Sequence, residues 1–505
     1  MNKSELINAM AEEAGLSKAD AKKALNNDKV LCKRCFRLKN YHELQKTNLT
    51  SDDFLNILPK GEKIPTTLTD FDAFIRNESN HLNDITQAIN LLNDSYVKPS
   101  ALGFVSLESI NYNWMEDEDR IAQNNSDEGA YYYAYTAISN WNLIINSVPD
   151  ATECTKTEKQ ELIAQAKVLR AMNYFYLTNY YADAYNASSA SSKLSVPLIE
   201  SADMGASSIQ VTIEKMYEFI LKDLTDALPA LPKEGKTILH PNKGCGYAML
   251  ARVYLTMENY DEALVNAEEA LKCNDKLFDW RDYYKENKDQ IEKPDDWSNS
   301  YPAISLTNPE NYIFRYGTNS QKNGGQSALT GALTTARAAL FEAGDARFAS
   351  KWKAKYEAPD DIFYGIRNDK FNGGGLSTPE MYYIKAECLA RKGGQDNLDD
   401  AMETLNAVRE TRIFKDYYTP LSATSVEEAV KYIIQEKANE YVQTGIPFWD
   451  ARRLNQDSKY ARTLTKEFNG KMLSLSPTSH LWTMPFPQGA TSNPGNGTLQ
   501  QNVKR

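Results

Sequence analysis

From about residue 52 onward, apolar residues recur three and four apart, and the loops between them are rich in Asn, Gly, Ser and Pro. That period predicts a chain made almost wholly of helices, with little strand alternation. Gln160 to Tyr181 sets Leu162, Ala166, Leu169, Met172, Phe175, Tyr176 and Asn179 on one stripe, and Ala164, Ala166 and Ala171 leave room for a close partner helix. A second hairpin runs from Ile213 to Leu231 and from Lys243 to Met257, continuing through Glu258 to Lys272. Its Ala248, Ala251, Tyr254, Leu255, Tyr260, Ala263 and Ala267 fall near the small and aromatic positions of a tetratricopeptide repeat. Thr378 to Arg391 with Leu398 to Arg412, and Ser425 to Thr444 with Phe448 to Leu454, read as further pairs. A single pair cannot bury its apolar face. The pairs at approximately 130–182, 212–272, 378–412 and 425–455 therefore predict an all-α fold, an α-α superhelix of tetratricopeptide-like helix pairs.

Between the pairs, Ala101 to Glu128, Leu277 to Ser327 and Asn455 to Arg505 are expected to be long and irregular, and loops of that length carry function. The first two hold Tyr112, Trp114, Trp280, Tyr283, Tyr284, Trp297, Tyr301 and Tyr312, residues that disorder would deplete. Thirty tyrosines and seven tryptophans against four histidines suit stacking better than proton transfer. The net charge of -11 argues against nucleic acid as the main partner. No apolar run approaches the ~18 residues of a membrane helix. Cys32 and Cys35 form one CxxC, and Cys154, Cys245, Cys273 and Cys388 stand alone, the last three inside apolar helical patterns and expected in the core.

The ordered segments DDFLNILPKGEKIPTTLTDFDAFI (Asp52 to Ile75), AQAKVLRAMNYFYLTNYYADAY (Ala164 to Tyr185), AMLARVYLTMENYDEAL (Ala248 to Leu264), YYIKAECLARKG (Tyr382 to Gly393), EKANEYVQTGIPFWDARRLN (Glu436 to Asn455) and LWTMPFPQGATSNPGNGTLQQN (Leu481 to Asn502) resemble the SusD/RagB family. The family comprises nutrient-binding surface lipoproteins of the bacterial outer membrane. The resemblance implies a loop-rich face that captures a glycan, an oligosaccharide or a peptide. It also implies a SusC-type TonB-dependent transporter as partner, and neither catalysis nor a cofactor.

The start of the chain reads differently. Met1 to Asn26 is similar to the N-terminus of histone-like HU proteins, and Asp28 to Leu55 resembles part of the zinc module of YqeH-type GTPases. The CxxC supplies two zinc ligands where four are needed, and no GxxxxGK[ST] is found. Residues 1–51 are therefore expected to form a composite segment ahead of a SusD-like domain at 52–505, without the apolar stretch of a secretory signal or the family's lipobox.

Glycan capture needs flat aromatic faces beside hydrogen-bonding groups. Tyr112, Asn113 and Trp114, with the acidic run Glu116 to Asp119 behind them, are the first ligand candidates, and Trp297, Tyr301 and Tyr312 are the second. Trp280 and Tyr283 are expected to pack beneath the repeat, and Trp449, Asp450, Arg452 and Arg453 to serve structural ion pairs. His42, His81, His240 and His480 show no hydrolase pattern, so no catalytic or metal residues are assigned. An intracellular peptide-binding repeat scaffold is the alternative reading, and a glycoside-acting enzyme is a second alternative.

Overall fold

The computed structural model describes residues 65–124, 129–203, 205–292, 304–317, 331–354, 362–365, 370–495 and 497–503. The chain divides into two compact units, Met1–Pro65 and Thr66–Arg505. Apart from Pro65, every described residue belongs to the second. The HU-like and YqeH-like stretches, with Cys32 and Cys35, lie outside the described residues, as do Trp297 and Tyr301.

The second unit opens with α1 (Leu68–Arg76), α2 (Thr86–Leu92), α3 (Leu107–Asn113) and α4 (Arg120–Gln123). Long helices follow: α5 (Gly129–Ser147), α6 (Lys156–Tyr181), α7 (Ile213–Ala227), α8 (Lys243–Thr256) and α9 (Tyr260–Cys273). Each packs against the next in sequence. A capping box starts α6, with Thr155 Oγ1 accepting from the Glu158 amide at 3.2 Å and the Glu158 carboxylate accepting from the Thr155 amide at 2.8 Å. Beyond Ala164 the predicted stripe widens into burial on nearly every side, so α6 is a central helix.

After α10 (Trp280–Ile291), α11 (Thr335–Ala338) and α12 (Ala346–Lys351), the helical run resumes with α13 (Thr378–Lys392), α14 (Gln395–Glu410), α15 (Val426–Glu440) and α16 (Ile446–Leu454), then the short α17 (Gln488–Ser492). Helix α9 packs on α13, which joins the two runs. Buried arginines tie helices that are distant in sequence. Arg170 of α6 donates to Asp223 of α7 at 2.7 and 2.8 Å, Arg252 of α8 to Glu380 of α13 at 2.7 and 2.6 Å, and Arg453 of α16 to Glu387 of α13 at 2.8 and 2.6 Å. Bidentate geometry of this kind fixes which helix meets which, whatever its net contribution to stability. Arg452 differs from the ion-pair expectation, because its guanidinium donates to the carbonyls of Asn179 and Ala182.

The stretches expected to be irregular contain secondary structure. Helices α3 and α4 lie within Ala101 to Glu128, and α10 lies within Leu277 to Ser327. Short strands are also present. β1 (Leu194–Leu198), β2 (Ser208–Thr212) and β10 (Gly497–Thr498) form one sheet, with β2 central, antiparallel to β1 and parallel to β10. β3 (Asn311–Ile313) pairs with β7 (Leu376–Ser377). β4 (Leu333–Thr334), β5 (Trp352–Ala354) and β6 (Ile362–Gly365) form a small sheet in which β6 is central. β8 (Leu464–Phe468) and β9 (Lys471–Leu475) make a hairpin. Half of these strands have only two or three residues, too short to show a period of two, whereas the five-residue β8 does alternate in burial. Cys245 and Cys388 are buried as expected, whereas Cys273, the last residue of α9, is exposed.

Candidate functional site

Tyr112 and Asn113 lie on α3 rather than in a loop, and Trp114 is its C-cap, with φ of 52°. The helix forms because Ser106 and Ser109 cap it reciprocally, at 3.1 and 2.9 Å. A left-handed cap is uncommon for a side chain this bulky. Here it turns the indole inward, where Nε1 donates to the Leu91 carbonyl at 2.8 Å. Tyr112, Asn113 and Trp114 are all buried. The Lys466 ammonium of β8 stands 3.9 Å from the Tyr112 ring centroid and 4.9 Å from that of Trp114. It donates to Asn93 Oδ1 at 2.5 Å and to the Tyr112 carbonyl. Burial pushes its pKa down to about 7. This cluster is closed, so Tyr112, Asn113 and Trp114 do not present an open stacking face.

Tyr312 is likewise buried, and its hydroxyl reaches the carbonyls of Asn274 at 2.6 Å and Ala270 at 3.0 Å. It braces α9 against β3. Glu116 and Asp117 are exposed, and Asp119 caps α4 through the Ala122 amide at 3.0 Å. No metal-ligating cluster is found among the described residues.

An open aromatic and amide-rich site lies where the second candidate stretch meets chain further on. A cleft of about 140 Å³ has walls that include Trp280, Lys351, Trp352, Phe371, Asn372 and Tyr441. Trp280 belongs to a small apolar cluster with Tyr283, Ile291 and Ala346, as expected of Trp280 and Tyr283, and Trp352 belongs to another with Leu333, Phe341 and Val442. Lys351 bridges the two, with its ammonium 4.5 Å from the Trp280 ring centroid and 5.8 Å from that of Trp352. Phe371 is only half-buried, which leaves ring surface available at the cleft.

Local sequence explains why Phe371 and Asn372 sit there. They precede Gly373, Gly374 and Gly375, and a Cβ on Gly373 would come within 2.5 Å of Gly317 Cα, while one on Gly375 would meet the Ile313 carbonyl at 2.2 Å. Only glycine lets this strand pass so close. The Asn372 side chain then locks the turn, accepting from the amides of Gly375 at 2.9 Å and Arg315 at 3.1 Å and donating to Asn311 Oδ1 at 3.2 Å.

The floor of the cleft is ionic. Glu310 and Glu440 both receive Arg412, at 2.7 and 3.0 Å, and Glu440 also receives Arg347 at 2.6 Å. Burial raises the pKa of Glu440, but Arg412 and Arg347 outweigh it and bring the value down to about 2. For Glu310 burial dominates and the shift is upward, against the pull of Arg412. These carboxylates are held as acceptors in a fixed network. His81 and His240 do not line the cleft. Burial brings His81 down to about 3, with Arg315 acting in the same direction, so it is neutral at physiological pH.

Trp352, Lys351, Phe371, Lys370 and Asn372 were not singled out from the sequence. The signal that could have found them is the FNGGG run beside a second tryptophan, WKAKY, both in segments without helical period.

A family model described as starch-binding and associating with the outer membrane matches residues 53–255, and a model of the SusD family matches residues 378–504. The structure is similar to a SusD superfamily protein from Bacteroides thetaiotaomicron VPI-5482, with a TM-score of 0.64 and 18% identity over 87% of this chain and 100% of that one. A SusD-like carbohydrate binding protein from Bacteroides vulgatus ATCC 8482 gives a TM-score of 0.59 and 15% identity over 87% of this chain and 100% of that one. A laminarin binding SusD-like protein gives 0.57 and 16%, over 87% and 100%. At these identities the likeness establishes the fold. Thirty-five residues, 7% of this chain, are 63% identical to the uncharacterized protein YqeH of Bacillus subtilis (strain 168), of which they span 10%. No helix among the described residues is long and apolar enough to cross a membrane.

Proposed function

We propose, on the premise that this chain belongs to the SusD family, that it captures glycans without transforming them and passes them to a SusC-type TonB-dependent transporter at the bacterial outer membrane. The observation that carries this reading is the cleft between the Trp280 and Trp352 clusters. It combines aromatic surface with fixed amide, hydroxyl and carboxylate groups, the set that sugar rings and their hydroxyls require. The names of the carbohydrate-binding and laminarin-binding relatives point the same way. Within the proposal, the successively packed helices form a tetratricopeptide-like superhelix that carries the cleft. Trp297 and Tyr301, outside the described residues, keep their sequence-based assignment to the ligand face. Tyr112, Asn113 and Trp114 belong to the scaffold at α3, and Tyr312 braces β3, whose Asn311 lines the cleft.

The test begins with a glycan array on the whole chain, which selects a ligand, followed by calorimetric titration of that ligand into Phe371→Ala. A loss of binding with an unchanged melting temperature is expected. Unchanged affinity would remove the cleft from the site. A reducing-sugar assay on the same glycan should yield no product. Pull-down from an outer-membrane extract should recover a large barrel, and recovery of soluble partners alone would count against the transporter role.

A further inference from the structure

A second cavity, of about 550 Å³, lies between α2, α15, α16 and the chain leading into β8. It is several times larger than the cleft and falls within the roughly 300 to 1,000 Å³ typical of small-molecule sites. Its apolar wall includes Leu92, Ile434, Leu464, Trp482 and Leu340, the last of which is 50% exposed. A large aliphatic side chain left this open at a cavity is what an apolar ligand face would cover.

The polar wall has an unbalanced sign. Asp450 is engaged by Lys437 at 2.8 Å and Arg453 at 2.9 Å, Lys431 by Glu427 at 2.8 Å, and Arg337 by Asp94 at 2.8 Å. Arg462 and Lys459 also line the cavity, both are exposed, and neither side chain has a hydrogen bond or an ion pair among the described residues. The surplus is therefore cationic. Crowding by protein lowers the Arg462 pKa, Asp94 opposes that shift and Arg337 adds to it, so Arg462 shares the field of the Asp94–Arg337 pair. The protein's negative net charge does not cancel this, because charges more than about 10 Å away are screened at physiological salt.

Two further polar groups line the wall behind the cations. Asp94 is 5% exposed, and while one of its oxygens takes Arg337, the other has no hydrogen-bond partner; the Asn455 side-chain amide nitrogen has none either. Both atoms are shielded from solvent, so they set the polarity of the wall rather than reach a ligand directly. The wall thus offers the exposed Arg462 guanidinium and Lys459 ammonium for an anion, and an aliphatic and aromatic surface for a ring.

We infer that this cavity binds a carboxylate-bearing sugar residue, of the uronate class, as a site separate from the cleft. The carboxylate meets Arg462, with Lys459 adding field from the mouth, and the sugar ring packs on the apolar wall. The inference extends the glycan-capture reading but does not use the cleft. Its test is chosen accordingly.

The experiment is calorimetric titration of the full chain with methyl glucuronide, methyl glucoside and octanoate, on the natural sequence and on Arg462→Ala, Arg462→Lys and Phe371→Ala. Binding of methyl glucuronide is expected, weakened roughly tenfold or more by Arg462→Ala, the scale of one charge-assisted hydrogen bond, and partly kept by Arg462→Lys. It should weaken as salt rises and should not respond to Phe371→Ala. Four outcomes overturn the inference: no binding of methyl glucuronide, equal binding of methyl glucoside, equal or tighter binding of octanoate, or loss on Phe371→Ala with no effect of Arg462→Ala. Arg462 is exposed, so its variants are expected to fold, and an unchanged melting temperature confirms that each result reports binding.

Discussion

Two places in this molecule put a lysine ammonium over a pair of aromatic rings, with opposite results. At Tyr112 and Trp114 the lysine is Lys466; both rings are buried, the indole N–H is used by Leu91, and the ammonium has two oxygen acceptors. At Trp280 and Trp352 the lysine is Lys351, and both indoles are as buried as the first pair, but a cleft runs beside them with half-buried Phe371 on its wall. The ingredients are the same. What differs is what stands beside them: Lys466 arrives on a strand more than three hundred residues away in sequence and fills its own niche, whereas Lys351 borders a cleft that also holds half-buried Phe371. Aromatic richness alone therefore does not tell a binding platform from a plug.

The largest effects should fall on the closed place and on the floor of the open one. Trp114→Ala should cost about 3 to 5 kcal/mol of unfolding free energy while leaving glycan affinity unchanged, measured by denaturant titration beside calorimetry. A loss of affinity without a loss of stability would reverse the comparison. Arg412→Met should cost a similar ~3 to 5 kcal/mol, because it strands Glu310 as a buried carboxylate without its guanidinium and leaves Glu440 with Arg347 alone.

At the open place, Phe371→Ala should weaken binding of the array-selected glycan by about 1 to 3 kcal/mol with little change in melting temperature.

Lys466 sharpens the comparison through pH. Its folded-state pKa is near 7 against an unfolded value of 10.5, so the unfolded chain holds the proton more tightly across that interval. Its contribution to stability should therefore grow as pH rises from 7 towards 10 and be absent below 7. Subtracting the stability-against-pH curve of Lys466→Met isolates the slope of this one group, and a flat difference would contradict the burial of the ammonium. The smallest expected effect is that of Lys351→Met, about 0.5 to 1 kcal/mol of stability, the scale of a partly exposed cation–aromatic contact.

The helices were legible because their signal is local. The stripe from Leu162 to Asn179 lies within α6, and the Thr155–Glu158 capping box stands in the sequence itself. Trp280 and Tyr283, expected beneath the repeat, are buried in a small apolar cluster of their own, on a helix within a stretch expected to be irregular. The fate of Trp114 was not legible. Its burial depends on a left-handed cap at a bulky residue and on a lysine from β8, neither of which leaves a periodic trace. The cleft was legible only in part. Leu277 to Ser327, expected to be a function-bearing stretch, supplies Trp280, Asn308 and Asn311, but the facing wall at Trp352, Phe371 and Asn372 rests on a glycine-dependent crossing that only three dimensions reveal.

The sheet that joins β10 to β2 sets the order in which the chain can assemble. The helix pairs form from neighbours in sequence, so their loops close cheaply and early. The stretch 484–502 instead returns to the region left behind at 180–212, where the Met484 amide donates to the Tyr180 carbonyl at 2.9 Å and the Gln500 amide to Gln210 Oε1 at 2.6 Å. Until that return, β2 is an edge strand paired on one side only, open to a strand from another molecule. Aggregation during refolding should therefore begin at β2, and pairing with the stretch 484–502 closes that edge.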